Sequence, residues 1–193
     1  MERIELMDGA YLEFEPHWAE HADETLRALL GEVPFAARAI RLFGREVMQP
    51  RLVAFLGDPG AAYTYSGVRH EPAPWTPTLT ALREQLSART GLAFNAVLCN
   101  LYRDGRDSMG WHSDDEPELG PVPLVASLSF GAVRRFTLRH RTREHKHELA
   151  LTHGSLLLMR GTTQRFYRHA VPKQPTLVEP RINLTFRRIL APP

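Results

Sequence analysis

Pro180-Arg181-Ile182-Asn183-Leu184-Thr185-Phe186-Arg187, near the C-terminal end of the 193-residue chain, alternates apolar and polar side chains from Arg181 onward. A strand turns successive side chains to opposite faces, so Ile182, Leu184 and Phe186 share one side, and Arg181, Asn183, Thr185 and Arg187 the other. The apolar side belongs to a core. The polar side suits a solvated face as well as a pocket, but arginine forks match carboxylates bidentately, so two of them on one strand fit a ligand with two acid groups. A second run, Asn95-Ala96-Val97-Leu98-Cys99-Asn100-Leu101-Tyr102, also has strand character and puts Asn100 and Tyr102 on a common face. Trp18 to Leu30 and Thr78 to Arg89 carry helical spacing, and most other segments are short strand-like runs between Gly, Pro or charged turns. Many short strands after a helical prelude predict a mainly β protein with flanking helices (α+β), a double-sheet jelly roll with a mouth between its sheets.

Chemistry enters with Trp111-His112-Ser113-Asp114 and Tyr167-Arg168-His169. Two imidazoles and one carboxylate on one face of a metal leave the opposite positions open, the ligand set of non-haem Fe(II) oxygenases. An H-x-D tripeptide alone is weak evidence, because a surface His beside an Asp usually sits in water. Its weight comes from the company of Asn100, Tyr102, Arg181 and Arg187.

Composition allows one core: 193 residues at 43% hydrophobic suffice for a single domain. The single cysteine, Cys99, excludes an internal disulfide framework and reads as a buried structural thiol, which suits a reducing compartment. No apolar run is long enough for a membrane, and the acidic start Met1-Glu2-Arg3-Ile4-Glu5 lacks the basic region of a signal peptide. The expectation is a cytoplasmic monomer. The formal charge is only +2, but Arg134, Arg135, Arg139, His140, Arg141, Arg143, His145, Lys146 and His147 crowd one span. It reads as a hairpin that is either a solvated tip or a rail for phosphates.

Asn100-x-Tyr102, His112-x-Asp114, His169 and Arg181-x-Asn183-x-x-x-Arg187 stand in the order found in the AlkB family, which the chain resembles from about Ala22 to Ile189. Tyr63-Thr64-Tyr65-Ser66-Gly67, His112-Ser113-Asp114-Asp115-Glu116, Ser127-Leu128-Ser129-Phe130-Gly131 and His153-Gly154-Ser155-Leu156 are in the style of its animal repair homologues, in particular those acting on duplex DNA. The resemblance implies a double-stranded β-helix in one AlkB-like domain over 1–193. Helices and a nucleotide-recognition lid would fill about 1–92, and the catalytic jelly roll about 93–190. It implies Fe(II) on His112, Asp114 and His169, the catalytic set. 2-Oxoglutarate would lie against Asn100, Tyr102, Arg181, Asn183 and Arg187, with O2 as the third reactant. The activity implied is oxidative demethylation of 1-methyladenine and 3-methylcytosine in single- or double-stranded DNA, or in RNA, releasing formaldehyde, succinate and CO2.

For the base, the resemblance aligns Leu42 and Phe43 with an intercalating finger, Arg51 with the flipped-base region, and Tyr63, Tyr65 and Ser66 with the pocket. Asp115 and Glu116 add more negative charge than a metal needs. A base methylated on a ring nitrogen is cationic, and a carboxylate attracts it while accepting from its exocyclic amine. Trp18, Trp75 and Trp111 read as packing residues, with Trp111 facing away from His112. Other readings are an RNA-directed or N6-methyladenine demethylase, a dioxygenase acting on protein or small molecules, and a non-catalytic nucleic-acid-binding module.

Overall fold

The alternating run at 181–187 is a strand with every residue buried, deep inside the largest sheet. The structure, a computed structural model, describes residues 1–42, 45–65 and 68–190. In chain order the elements are β1 (Glu2–Glu5), β2 (Ala10–Glu15), α1 (Ala22–Glu32), β3 (Ala36–Leu42), β4 (Arg45–Gly57), β5 (Tyr63–Tyr65), β6 (Val68–His70) and α2 (Pro77–Thr90). Then come β7 (Ala96–Tyr102), β8 (Met109–His112), a 3-10 turn (Pro117–Leu119), β9 (Val125–Gly131) and β10 (Arg134–His140). The last are β11 (Lys146–Leu151), β12 (Ser155–Gly161), α3 (Thr163–Phe166), β13 (Tyr167–Val171) and β14 (Arg181–Arg187).

Eight strands form one sheet in the order β1-β2-β12-β9-β14-β7-β4-β3, and four form another, β11-β10-β13-β8. Two cores follow from the alternation. Ile182, Leu184 and Phe186 pack with Leu128 and Leu156 under the helical leucines Leu29, Leu82 and Leu86. Tyr102, Leu157, Phe136, Leu138 and Tyr167 fill the space between the sheets. The jelly-roll expectation is met.

Helix boundaries shift slightly. α2 is capped by Thr76, whose hydroxyl accepts from Leu79 N at 3.4 Å, and stops at Gly91 in a left-handed conformation. α1 begins at Ala22, four residues after the expected Trp18, because Ala19 N donates to Gly154 O at 2.9 Å and draws that stretch out of the helix. Trp18 and Trp75 pack against the helix-side core. Trp111 does not: it is 39% exposed on the outer face of the four-stranded sheet, where the Arg139 guanidinium lies 4.3 Å from its ring centroid. The register slips beside it, with His169 opposite His112 but Val171 opposite Met109. The division at about residue 92 separates nothing in the sheet, since β2 pairs with β12 and β4 with β7. Cys99 is fully buried, and burial pushes its thiol pKa up, as a structural cysteine requires.

Candidate active site

Antiparallel pairing of β8 with β13 places His112 directly across from His169, their ring centroids 4.2 Å apart, and the chain turns back at once to bring in Asp114. One ligand atom from each of the three lies within 4.8 Å of the others. His112 Nδ1 donates to Gly110 O at 2.9 Å, which leaves Nε2 free to coordinate. Asp114 is held from two sides: its backbone N donates to Gln164 Oε1 at 2.9 Å, and Arg187 donates to its Oδ1. His169 Nε2 stands 3.6 Å from Asp114 Oδ2.

Burial and charge keep all three in metal-binding protonation states. Burial, reinforced by His112, depresses the His169 pKa to about 3, so the imidazole is neutral at physiological pH. His112 is lowered too, mainly by burial, although Asp114 opposes the shift. Burial alone would raise Asp114, but Arg187 and the two histidines outweigh it and hold it below the usual carboxylate range. Two neutral imidazoles and an ionised carboxylate fit Fe(II).

The residues expected to hold the cosubstrate are brought together by register. β14 pairs with β7 so that Arg181 faces Tyr102 and Asn183 faces Asn100. Asn183 Nδ2 donates to Ser127 Oγ at 2.8 Å, and Asn100 Oδ1 accepts from Arg51 Nε at 2.7 Å. Arg181 is 1% exposed and donates through Nη2 to Ser129 Oγ at 2.9 Å, while its Nε and Nη1 have no partner. Burial pulls its pKa down to about 10, against the opposing influence of Tyr102. A buried fork with two idle donors needs an anion, and a carboxylate fits it. Ser127, Ser129 and Gln164 are the supporting residues that sequence reasoning did not assign. The alternation of Val125 to Gly131 was the available signal for the two serines.

The substrate residues divide. Phe43 and Ser66 lie outside the described residues. Tyr63 and Tyr65 form β5 and Leu42 ends β3, and for these three the structure describes only the strand. Arg51 is buried behind Asn100, on the cosubstrate side of the site. Asp115 points outward and pairs with Arg141 at 2.6 Å. Glu116 is half-buried with Oε2 sealed from solvent and lacking a partner; its pKa is raised by burial, against Arg187 and with Asp114. The basic span is a hairpin, β10 and β11, but not a uniform rail. Arg134 and His140 alternate inward with Phe136 and Leu138 and are buried, Arg143 pairs with Asp8, and Lys146 with Glu148.

This fold and this ligand set are those of the mononuclear iron oxygenases of the 2-oxoglutarate type. The model of the 2OG-Fe(II) oxygenase superfamily matches residues 12–187. The chain is 44% identical over 184 residues to the bovine "Alpha-ketoglutarate-dependent dioxygenase alkB homolog 3", which covers 90% of this chain and 64% of that protein. It is 42% identical over 180 residues to the human "DNA oxidative demethylase ALKBH2", 88% of this chain and 69% of that protein. The chain thus spans just under two thirds of the length of the bovine relative. A solved structure of OsALKBH1 superposes with a TM-score of 0.60 at 16% identity, over 97% of this chain and all of that one, which bears on the fold. The chain belongs to the 2OG-Fe(II) oxygenase superfamily and, within it, to the AlkB family.

Proposed function

We propose that this protein is an iron- and 2-oxoglutarate-dependent oxygenase that removes N-methyl groups from 1-methyladenine and 3-methylcytosine in DNA. The observation that carries the substrate class is Glu116. A sealed carboxylate oxygen without a partner is costly unless something arrives to use it, and a cationic base with an exocyclic amine supplies both charge and donor. The name of the human relative, a DNA oxidative demethylase, supports the same substrate.

In this mechanism His112, Asp114 and His169 would hold the iron, and Arg181, with Tyr102, Asn100 and Asn183, would hold the cosubstrate. Iron, 2-oxoglutarate and O2 together supply the oxidising power that converts the N-methyl group to a hydroxymethyl group, which leaves as formaldehyde. Succinate and CO2 are the other products. Arg187 fixes Asp114, and Arg51 fixes Asn100, so neither ligand wall has to reorganise. Phe136 and Met159 line the cavity beside His169 and help to exclude water. By the family resemblance, Phe43 is assigned as the wedge that fills the stack when a base is extruded, and Tyr63, Tyr65 and Ser66 as the residues that receive it. The exposed guanidiniums of Arg139 and Arg168, paired across β10 and β13, are assigned to the nucleic-acid backbone. We assign the protein to the cytoplasm, for which the single buried thiol is the supporting feature, and take it to act as a monomer.

The deciding experiment reconstitutes the protein anaerobically with Fe(II) and 2-oxoglutarate, then admits oxygen in the presence of matched single- and double-stranded oligonucleotides carrying 1-methyladenine. Mass spectrometry should show loss of the methyl group only when 2-oxoglutarate is present. Consumption of 2-oxoglutarate with the methyl group intact would replace the proposed substrate.

A further inference from the structure

Arg134 is the most deeply buried cation that the proposed chemistry leaves without a task. It is 1% exposed, and Phe136 and Leu138 follow it on the inward face of β10. Its Nη1 donates to Asp104 O at 3.2 Å, and its Nη2 to Asp107 O at 2.8 Å and Pro172 O at 2.9 Å. All three acceptors are neutral carbonyls. The nearby acids are already used: Asp107 forks Arg103 at 2.8 Å through both oxygens, and Asp104 pairs with Arg106 at 2.7 Å. No carboxylate among the described residues pairs with Arg134.

Its position is the informative part. Arg134 Cζ lies 5.3 Å from the ring centroid of Tyr102, and Arg181 Cζ lies 5.3 Å from the same ring. Two buried guanidiniums thus flank one aromatic ring, Tyr102, which lines the pocket, and neither pairs with a carboxylate among the described residues. Like charges at this range in a low-dielectric interior repel, and a carboxylate placed between them would remove the repulsion. The same side chain bolts down the walls. Through Asp104, Asp107 and Pro172 it joins the turn after β7 to the segment after β13, which already exchange backbone bonds between Gly105 and Gln174, and Gly105 and Leu177.

We propose that Arg134 is a positioning residue for the distal carboxylate of the cosubstrate, a second buried cation that acts through Tyr102 and the two segments it pins. The inference rests on reading the site as a 2-oxoglutarate pocket. It is tested by calorimetric binding to the anaerobic iron-loaded protein, comparing 2-oxoglutarate with 2-oxopentanoate, which has the same chain length but no distal carboxylate. Arg134→Gln should weaken 2-oxoglutarate by about tenfold and leave 2-oxopentanoate nearly unchanged, because only the diacid senses the lost charge. Arg134→Lys, which keeps the charge and loses the planar fork, should retain most of the wild-type preference.

A purely structural bolt would shift both acids by the same factor in Arg134→Gln, and that result would overturn the proposal. If Arg134→Gln does not fold, which a melting scan reads first, Arg134→Lys decides: loss of the diacid preference in a folded Lys variant also overturns it. A wild-type protein that binds the two acids equally would remove the cosubstrate pocket itself, and is thereby distinguishable from a failure of Arg134 alone.

Discussion

Asp115 and Glu116 carry the same charge one residue apart and have different surroundings. Asp115 is exposed and answered by Arg141, whereas Glu116 keeps an oxygen sealed and unanswered beside the metal ligands. Glu116→Gln should therefore raise the KM for a methylated oligonucleotide by about tenfold or more while 2-oxoglutarate binding is unchanged. Asp115→Asn should do far less, since a half-exposed ion pair contributes little. Parallel steady-state kinetics on the two variants would check both, and equal effects would refute the division. His169 gives a pH prediction. Its pKa drops from 6.5 to about 3 on folding, so below 6.5 the unfolded chain takes up a proton that the folded chain refuses. Stability is fully present above pH 6.5 and is lost as pH falls toward 3, by about 1.4 kcal/mol per pH unit for one such group. Urea midpoints of the metal-free protein from pH 7 to 5 should fall more steeply than those of His169→Asn. At this scale the ligand set was legible because His112-x-Asp114 and His169 stand in one order with Asn100, Tyr102, Arg181 and Arg187, a combination far more specific than the tripeptide alone. Arg134 was misread because charge was counted without direction, although its alternation with Phe136 and Leu138 pointed inward.

Elements were legible where periodicity and local chemistry agree, and displaced where a distant backbone partner intervenes. α2 begins at Pro77 behind a threonine cap and ends at a glycine, signals that reside in the helix itself. α1 lost its expected first turn to a bond from Ala19 to Gly154, which no local pattern announces. Thr76→Ala should cost about 1 kcal/mol by exposing the first turn of α2. On a chain of this size that lowers the melting temperature by about 2–4 °C, readable by circular dichroism. The turn after β7 is less forgiving. A Cβ at Gly105 would lie 1.7 Å from Gln174 O, a backbone atom that cannot swing aside, so Gly105→Ala must push the two segments apart. Its effect should appear as weaker 2-oxoglutarate binding in calorimetry, because those segments are the ones Arg134 pins beside Tyr102. An unchanged affinity would show that this end of the pocket does not depend on their contact.

The two sheets meet at the site, and this couples the chemistry to the stability of the whole chain. Arg181, Asn183, Arg187, Asn100 and Tyr102 come from the eight-stranded sheet, while His112 and His169 come from the four-stranded one. The sequence named these residues without showing that they lie on different sheets, because strand order depends on pairings between distant segments such as β2 with β12, and β4 with β7. Those pairings also tie strands from the first ninety residues into the same sheet as the site. Without ligands the interior holds an ionised Asp114 facing two neutral histidines, and the partnerless Nε and Nη1 of Arg181, polar groups that weaken the seam between the sheets. Iron and 2-oxoglutarate would bind only the folded chain and satisfy groups on both sides of that seam. At a thousandfold excess over its dissociation constant, a ligand adds about 4 kcal/mol of stability. For a chain of this length that corresponds to a rise of about 8–16 °C in melting temperature. Because both sheets share the site, anaerobic calorimetry should show one transition that moves as a unit when iron and 2-oxoglutarate are added together. It should move much less with 2-oxoglutarate and Asp114→Ala, where the metal has lost its carboxylate. Two transitions, with only one responding, would mean that the sheets unfold separately and that the site does not hold them together.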